Sequence, residues 1–128
     1  MKRLVIFGLI LVLLTACGKS EPPYTDNGHP GQIKAVVFFD DNKNGTMDNN
    51  EAGAPQRVAT TREVTCTPAQ PNFVPTDANG EVLFKDLKPG KYCVFIDNGY
   101  GMTTPIQLQV YVSSDLVTTV MFGVVKEQ

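Results

Sequence analysis

From Gln32 onward the chain alternates short runs of β-branched and aromatic residues with clusters of Asp, Asn, Gly, Pro and Ser, and no stretch carries an apolar stripe at helical spacing. Ile33 to Phe39, Val58 to Cys66, Glu81 to Phe84, Tyr92 to Ile96, Ile106 to Val112 and Leu116 to Val125 read as strands. Asp77-Ala78-Asn79-Gly80, Lys88-Pro89-Gly90, Asp97-Asn98-Gly99 and Ser113-Ser114-Asp115 read as turns between them, because these residues tolerate left-handed backbone or cap it with their own side chains. Strands this short bury their apolar sides only by stacking one sheet on another. The expected fold class is all-β, an immunoglobulin- or prealbumin-like sandwich of about seven strands. No internal repeat is visible, so one module is expected and not an array.

The first residues belong to something else. Met1-Lys2-Arg3 is a charged start and Leu4 to Leu14 an apolar run interrupted only by Gly8. A helix crossing the hydrocarbon core needs about 20 apolar residues, so this run is too short to span and reads as a secretory signal over 1–16. It ends in Leu14-Thr15-Ala16-Cys17, which resembles the lipobox cleaved by the bacterial lipoprotein signal peptidase. The resemblance implies that Cys17 becomes the mature N-terminus, carrying a diacylglyceryl thioether and an N-acyl chain such as palmitate. One acyl chain holds a protein only marginally and two or three hold it durably, so a membrane anchor is expected. Gly18 stands where lipoproteins kept in an inner membrane usually have Asp, which favours an outer membrane. Residues 17–31, rich in Pro, Gly and polar side chains, read as a flexible tether, and 32–126 as the folded domain.

With Cys17 acylated, two of the three cysteines remain, Cys66 and Cys93. An exported compartment is oxidising, so they are expected to bridge. Alternation places Tyr92, Val94 and Ile96 on one face of their strand and turns Cys93 to the other, so the bridge should lie on a sheet surface or edge. A formal charge of −2 and the lack of a basic run beyond Arg3 leave no footprint for nucleic acid.

Between the first two expected strands lies Asp40-Asp41-Asn42-Lys43-Asn44-Gly45-Thr46-Met47-Asp48-Asn49-Asn50-Glu51. These residues fill the pattern of the twelve-residue calcium loop. Ca²⁺ is a hard ion that takes roughly six to eight oxygens. Asp40, Asn42 and Asn44 are expected to give side-chain oxygens, Thr46 its backbone carbonyl, Asp48 an oxygen directly or through water, and Glu51 both of its oxygens. Gly45 stands where the loop must turn sharply, and Met47 where such loops place an apolar residue beneath the ion. Three carboxylates with two neutral amides predict a weak site, of order 10⁻⁴ to 10⁻³ M. The loop follows a strand, which excludes a paired helix–loop–helix arrangement.

Phe38-Phe39-Asp40 to Gly45 with Asp48, Glu51 and Gly53, then Thr76-Asp77-Ala78-Asn79-Gly80 to Phe84, Leu87-Lys88-Pro89-Gly90 to Val94, and Phe122-Gly123-Val124 together resemble the SdrD B-like domain. That family groups with Cna protein B-type and carboxypeptidase regulatory-like domains. The resemblance implies a calcium-rigidified, prealbumin-like structural or adhesion module of the cell envelope. It adds Asp77 and Asn79 as secondary ligands or as a plain turn. Related domains often carry a Lys–Asn isopeptide bond; Lys34 lies on the first strand, but the last strand offers no Asn, so none is expected.

No catalytic set is legible. The only histidine, His29, lies in the tether, Ser113 and Ser114 lie in a turn without a His or Lys near them in sequence, and the loop carboxylates are taken by calcium. A non-enzymatic lipoprotein is therefore expected. Two other roles compete with a structural one. A carbohydrate- or peptide-binding module would use Phe73, Tyr100 and Tyr111 as platforms, and an accessory subunit of a secretion or pilus assembly would dock through a sheet edge.

Overall fold

In the structure, a computed structural model that describes residues 23–62, 66, 71–97 and 100–126, the turn-punctuated runs become eight strands. They are β1 (Gly31–Phe39), β2 (Arg57–Thr61), β3 (Val74–Pro75), β4 (Glu81–Leu87), β5 (Gly90–Ile96), β6 (Gly101–Met102), β7 (Gln107–Val112) and β8 (Val117–Val125). No helix occurs among the described residues. The strands form two four-stranded sheets, ordered β4-β1-β8-β6 and β3-β2-β5-β7, as an all-β sandwich requires. The expected signal peptide and Cys17 lie outside the described residues.

Alternation along the strands decides which side chains meet. Ile33, Ala35 and Val37 of β1, Val82 of β4, and Val120, Phe122 and Val124 of β8 face Val58 of β2, Tyr92, Val94 and Ile96 of β5, and Val112 of β7 in one core. β1 pairs antiparallel with β4 but parallel with β8, from Gln32↔Val117 to Phe39↔Val124. The parallel pairing puts the start of β1 beside the start of β8 and the loop after β1 beside the end of β8.

The outer face of the second sheet carries a smaller cluster of Ala59, Cys93 and Phe95, against which Cys66 and Phe73 pack. Cys66 and Cys93 are disulfide-bonded, their Cα atoms 5.4 Å apart. Cys93 does point away from the main core, yet it is fully buried, in the cluster against which Cys66 and Phe73 pack. The expected strand Val58 to Cys66 is correspondingly shorter: β2 ends at Thr61, and Cys66 leaves the ladder to reach Cys93.

Of the tether expected over 17–31, the structure describes residues 23–31. Gly31 already belongs to β1, and residues 24–30 are docked on the β7–β8 turn. The Thr25 N–H donates to Ser113 Oγ, the Asn27 N–H to Ser114 Oγ, the Ser114 N–H to the Thr25 carbonyl and the Asp115 N–H to the Pro30 carbonyl. Tyr24 stacks on Tyr111 with ring centroids 6.3 Å apart. The Pro- and Gly-rich composition had no periodicity because this strap is held by polar contacts to a distant turn.

Candidate metal centre

The loop from Asp40 to Glu51 leaves the end of β1 and returns beside it. The Phe39 N–H donates to the Ala52 carbonyl, the Ala54 N–H donates to the Val37 carbonyl, and Phe38 bridges to Gly53. Its first residue is anchored on the last strand, where the Asp40 N–H donates to the Val124 carbonyl at 2.9 Å. The loop is therefore clamped at both ends by the sheet.

Asp40 is fully buried, an unusual place for a carboxylate. Its Oδ1 accepts the Asn44 N–H at 3.0 Å and its Oδ2 the Gly45 N–H at 2.8 Å. Burial pushes the carboxyl up, but the Thr103 side chain and the backbone N–H groups of Gly45, Asn44 and Lys43 more than offset this and hold it below its usual range. Thr103 Oγ1 is itself buried and lies outside strict hydrogen-bond geometry. Gly45 has φ 76°, the left-handed turn expected at that place. Gly123 lies beneath: a Cβ there would overlap Thr103 Oγ1 and press on Asp40 Oδ2 at 3.2 Å. Asp40 and Thr103 thus share the space that Gly123 leaves open.

The remaining predicted ligands lie within the same loop. Asn42 Oδ1 accepts the Asn44 N–H, and Asn44 Oδ1 accepts the N–H of Thr46. The Asn42 and Asn44 amides donate to Asp48 Oδ2 at 2.6 and 3.0 Å. Glu51, 7% exposed, accepts the Asp41 N–H on Oε1 and the Asp48 N–H on Oε2. Met47 is half-buried. Among the described residues no three His, Cys, Asp or Glu side chains form a metal cage by themselves. The donor chemistry here is of another kind: carboxylates and neutral amides, linked in one hydrogen-bonded loop, which suits a hard cation and not a soft one.

Other expected positions are separated from this loop or from each other. Asp77 Oδ1 accepts the N–H groups of Asn79 and Glu81, which gives Asp77 a turn role. Lys34 Nζ lies 2.8 Å from Glu81 Oε1 on the outer face of the first sheet. The three candidate platform aromatics do not gather: Phe73 lies on the outer cluster under Arg57, Tyr100 packs edge-on against Phe39, and Tyr111 pairs with Tyr24.

The fold also creates a neighbourhood that sequence distance hid. His29 Nδ1 lies 3.1 Å from the Asp115 carboxylate, and Ser114 Oγ donates to the His29 carbonyl. The Ser114 hydroxyl is thus engaged by backbone on both sides, since it also accepts from Asn27, and it does not address the imidazole.

Known proteins reproduce this architecture. The minor pilin GBS52 of Streptococcus agalactiae superposes with a TM-score of 0.55 at 13% identity, over 78% of this chain and 47% of that one. The RrgB pilus protein of Streptococcus pneumoniae gives 0.52 at 10% identity, over 77% of this chain and 26% of its own. Colossin-A of Dictyostelium discoideum is 39% identical over 62 residues, 48% of this chain but 1% of that protein. The chain thus spans less than half the length of each of these proteins. A family model, the SdrD B-like domain, matches residues 31–119, from the first residue of β1 into β8 and across the whole loop from Asp40 to Glu51. The chain belongs to the SdrD B-like domain family.

Proposed function

We propose that this chain is an exported, lipid-anchored envelope protein whose single sandwich acts as a non-catalytic structural or adhesion module stiffened by one Ca²⁺. The observation that carries the reading is the buried Asp40 carboxylate at the mouth of a clamped twelve-residue loop, with the oxygens of Asn42, Asn44, Asp48 and Glu51 on the same loop. These residues, with the Thr46 carbonyl, would hold the ion. Bound Ca²⁺ supplies positive charge among Asp40, Asp48 and Glu51, which otherwise repel one another. Because the loop joins β1 to β2 and rests on β8, fixing it couples both sheets. Cys17 would supply the anchor and the Cys66–Cys93 bridge the durability an exposed module needs.

Titration calorimetry with millimolar calcium tests the site. A single binding event with Kd of order 10⁻⁴ to 10⁻³ M, weakened at least about tenfold by Asp40→Asn or Glu51→Gln, is the expected result. Absence of heat in the folded wild-type protein would sink the calcium reading. Mass measurement of the native N-terminus tests the anchor separately.

One observation favours a second reading, an accessory subunit that docks by strand addition. β4 is the outer strand of its sheet and exposes Leu83. A partner recovered by crosslinking at Lys85 would support it. The scattered placement of Phe73, Tyr100 and Tyr111 gives no comparable support to a glycan platform.

A further inference from the structure

The strap fixes where the expected lipid must lie relative to the sandwich. Six peptide links join Cys17 to Pro23, and fully extended they reach at most about 20 Å. From Tyr24 on, the chain is held against Ser113, Ser114 and Asp115 by hydrogen bonds in both directions. An anchored domain therefore cannot drift away from the bilayer, and the β7–β8 turn is the part of it held within that reach.

That end of the sandwich has an interfacial composition. Leu116, the last residue of the β7–β8 turn, and Val117, the first of β8, are 60% and 53% exposed, the two most exposed large apolar side chains among the described residues. Two depressions flank Pro30: Leu116 and Val117 line one, and His29, Arg62 and Lys88 line the other. Tyr24 and Tyr111, stacked at the strap, add the amphipathic rings that settle at headgroup depth. Among the described residues Asp26 and Asp115 also lie here, Asp26 engaged by the Gly28 N–H and Asp115 by Asn27 and His29, and exposed Asp86 precedes Leu87, the partner of Gly31. The loop from Asp40 to Glu51 sits at the far end of β1.

We propose that the β7–β8 turn is a membrane-docking tip, with Leu116 and Val117 seated in the headgroup layer, Arg62 and Lys88 over lipid phosphates, and the metal loop pointing away from the bilayer. This rests on the lipid anchor proposed above. Such a tip orients the module upright, so that the end bearing the ion is the one presented to partners. Two apolar side chains bind weakly alone, and the anchor makes their contact intramolecular.

The chain contains no tryptophan, so a single introduced one reports its own surroundings. Full-length L116W and N50W proteins would be reconstituted into phosphatidylethanolamine–phosphatidylglycerol vesicles, with and without brominated acyl chains. The expected result is about twofold quenching by bromolipid at position 116, as for a side chain seated some 5–10 Å into the interface, and none at position 50. Vesicle-bound protein whose residue 116 is quenched no more than residue 50 overturns the docking tip while leaving the anchor intact. Failure to float with vesicles, with Cys17 unmodified by mass, overturns the anchor and the tip together. A blue shift at position 116 that grows with protein concentration and ignores bromolipid assigns the surface to a second copy of the chain and overturns the proposal.

Discussion

Two glycines in or beside the loop from Asp40 to Glu51 carry separable constraints. Gly45 has a positive φ, but a Cβ there would have open room, its nearest atom being 3.9 Å away. Gly45→Ala should therefore cost only the left-handed strain, about 1–2 kcal/mol in denaturant unfolding. Gly123 has no such φ, but its Cβ would meet Thr103 and Asp40 together. Gly123→Ala should cost about 1–3 kcal/mol through overpacking and weaken calcium binding as well, because it moves the Asp40 carboxylate. Calorimetry on both variants separates the two effects. Asp115 gives a pH signature: the Asn27 amide holds its carboxyl below the ordinary 3.8, burial opposes this, and His29 adds a hydrogen bond and charge. The folded chain binds that proton less readily than the unfolded one. The stability it confers is thus present above pH 3.8 and lost as pH falls through the lower folded value. Acid titration of the melting temperature should show this loss in the wild type and a flatter profile in Asp115→Asn, which starts less stable at neutral pH. The residues proposed as ligands could be named from sequence because their spacing is local. Thr103 could not, since it reaches Asp40 only through the β6–β8 neighbourhood and nothing in its own segment marks it.

Among the elements, the connection from β2 to β3 depends most on a single covalent link. Its described residues Cys66 and Phe73 cover Cys93 and Phe95, and the bridge spans 27 residues of sequence. The chain-entropy model values a loop of that size at roughly 3–4 kcal/mol. The double variant Cys66→Ala, Cys93→Ala should lose about that much in denaturant unfolding, with faster hydrogen exchange across Ala59, Cys93 and Phe95. A loss confined to a few tenths of a kcal/mol would mean that the outer cluster holds without its staple. The long strands β1, β5 and β8 were readable from β-branched content and alternation. The two-residue strands β3 and β6 were not, because a strand that short has no periodicity and exists only where a partner supplies its hydrogen bonds. The same physics hid the strap at 24–30, whose hydrogen-bond partners lie more than 80 residues away.

Across the whole molecule, the ion and the fold should be thermodynamically linked. Binding to the folded state alone contributes RT ln(1 + [Ca²⁺]/Kd), about 1.4 kcal/mol at a tenfold excess over Kd. For a domain of this size that raises the melting temperature by roughly 5–10 °C, reversed by chelator. An identical melting curve with and without chelator would leave the loop as a hydrogen-bonded turn and nothing more. The sequence by itself determined the class and the staple, and it marked the loop proposed here as a calcium site. Strand period, turn chemistry, ligand spacing and the pairing of two cysteines are all set by residues acting within a few positions or by simple count. The tertiary structure alone decided that β1 lies parallel to β8, that Gly123 opens room for Asp40, and that the strap folds back on Ser113–Asp115. Those features are contacts between segments far apart in the chain, whose free energy exists only once the sheets have brought them together, and no local pattern encodes it.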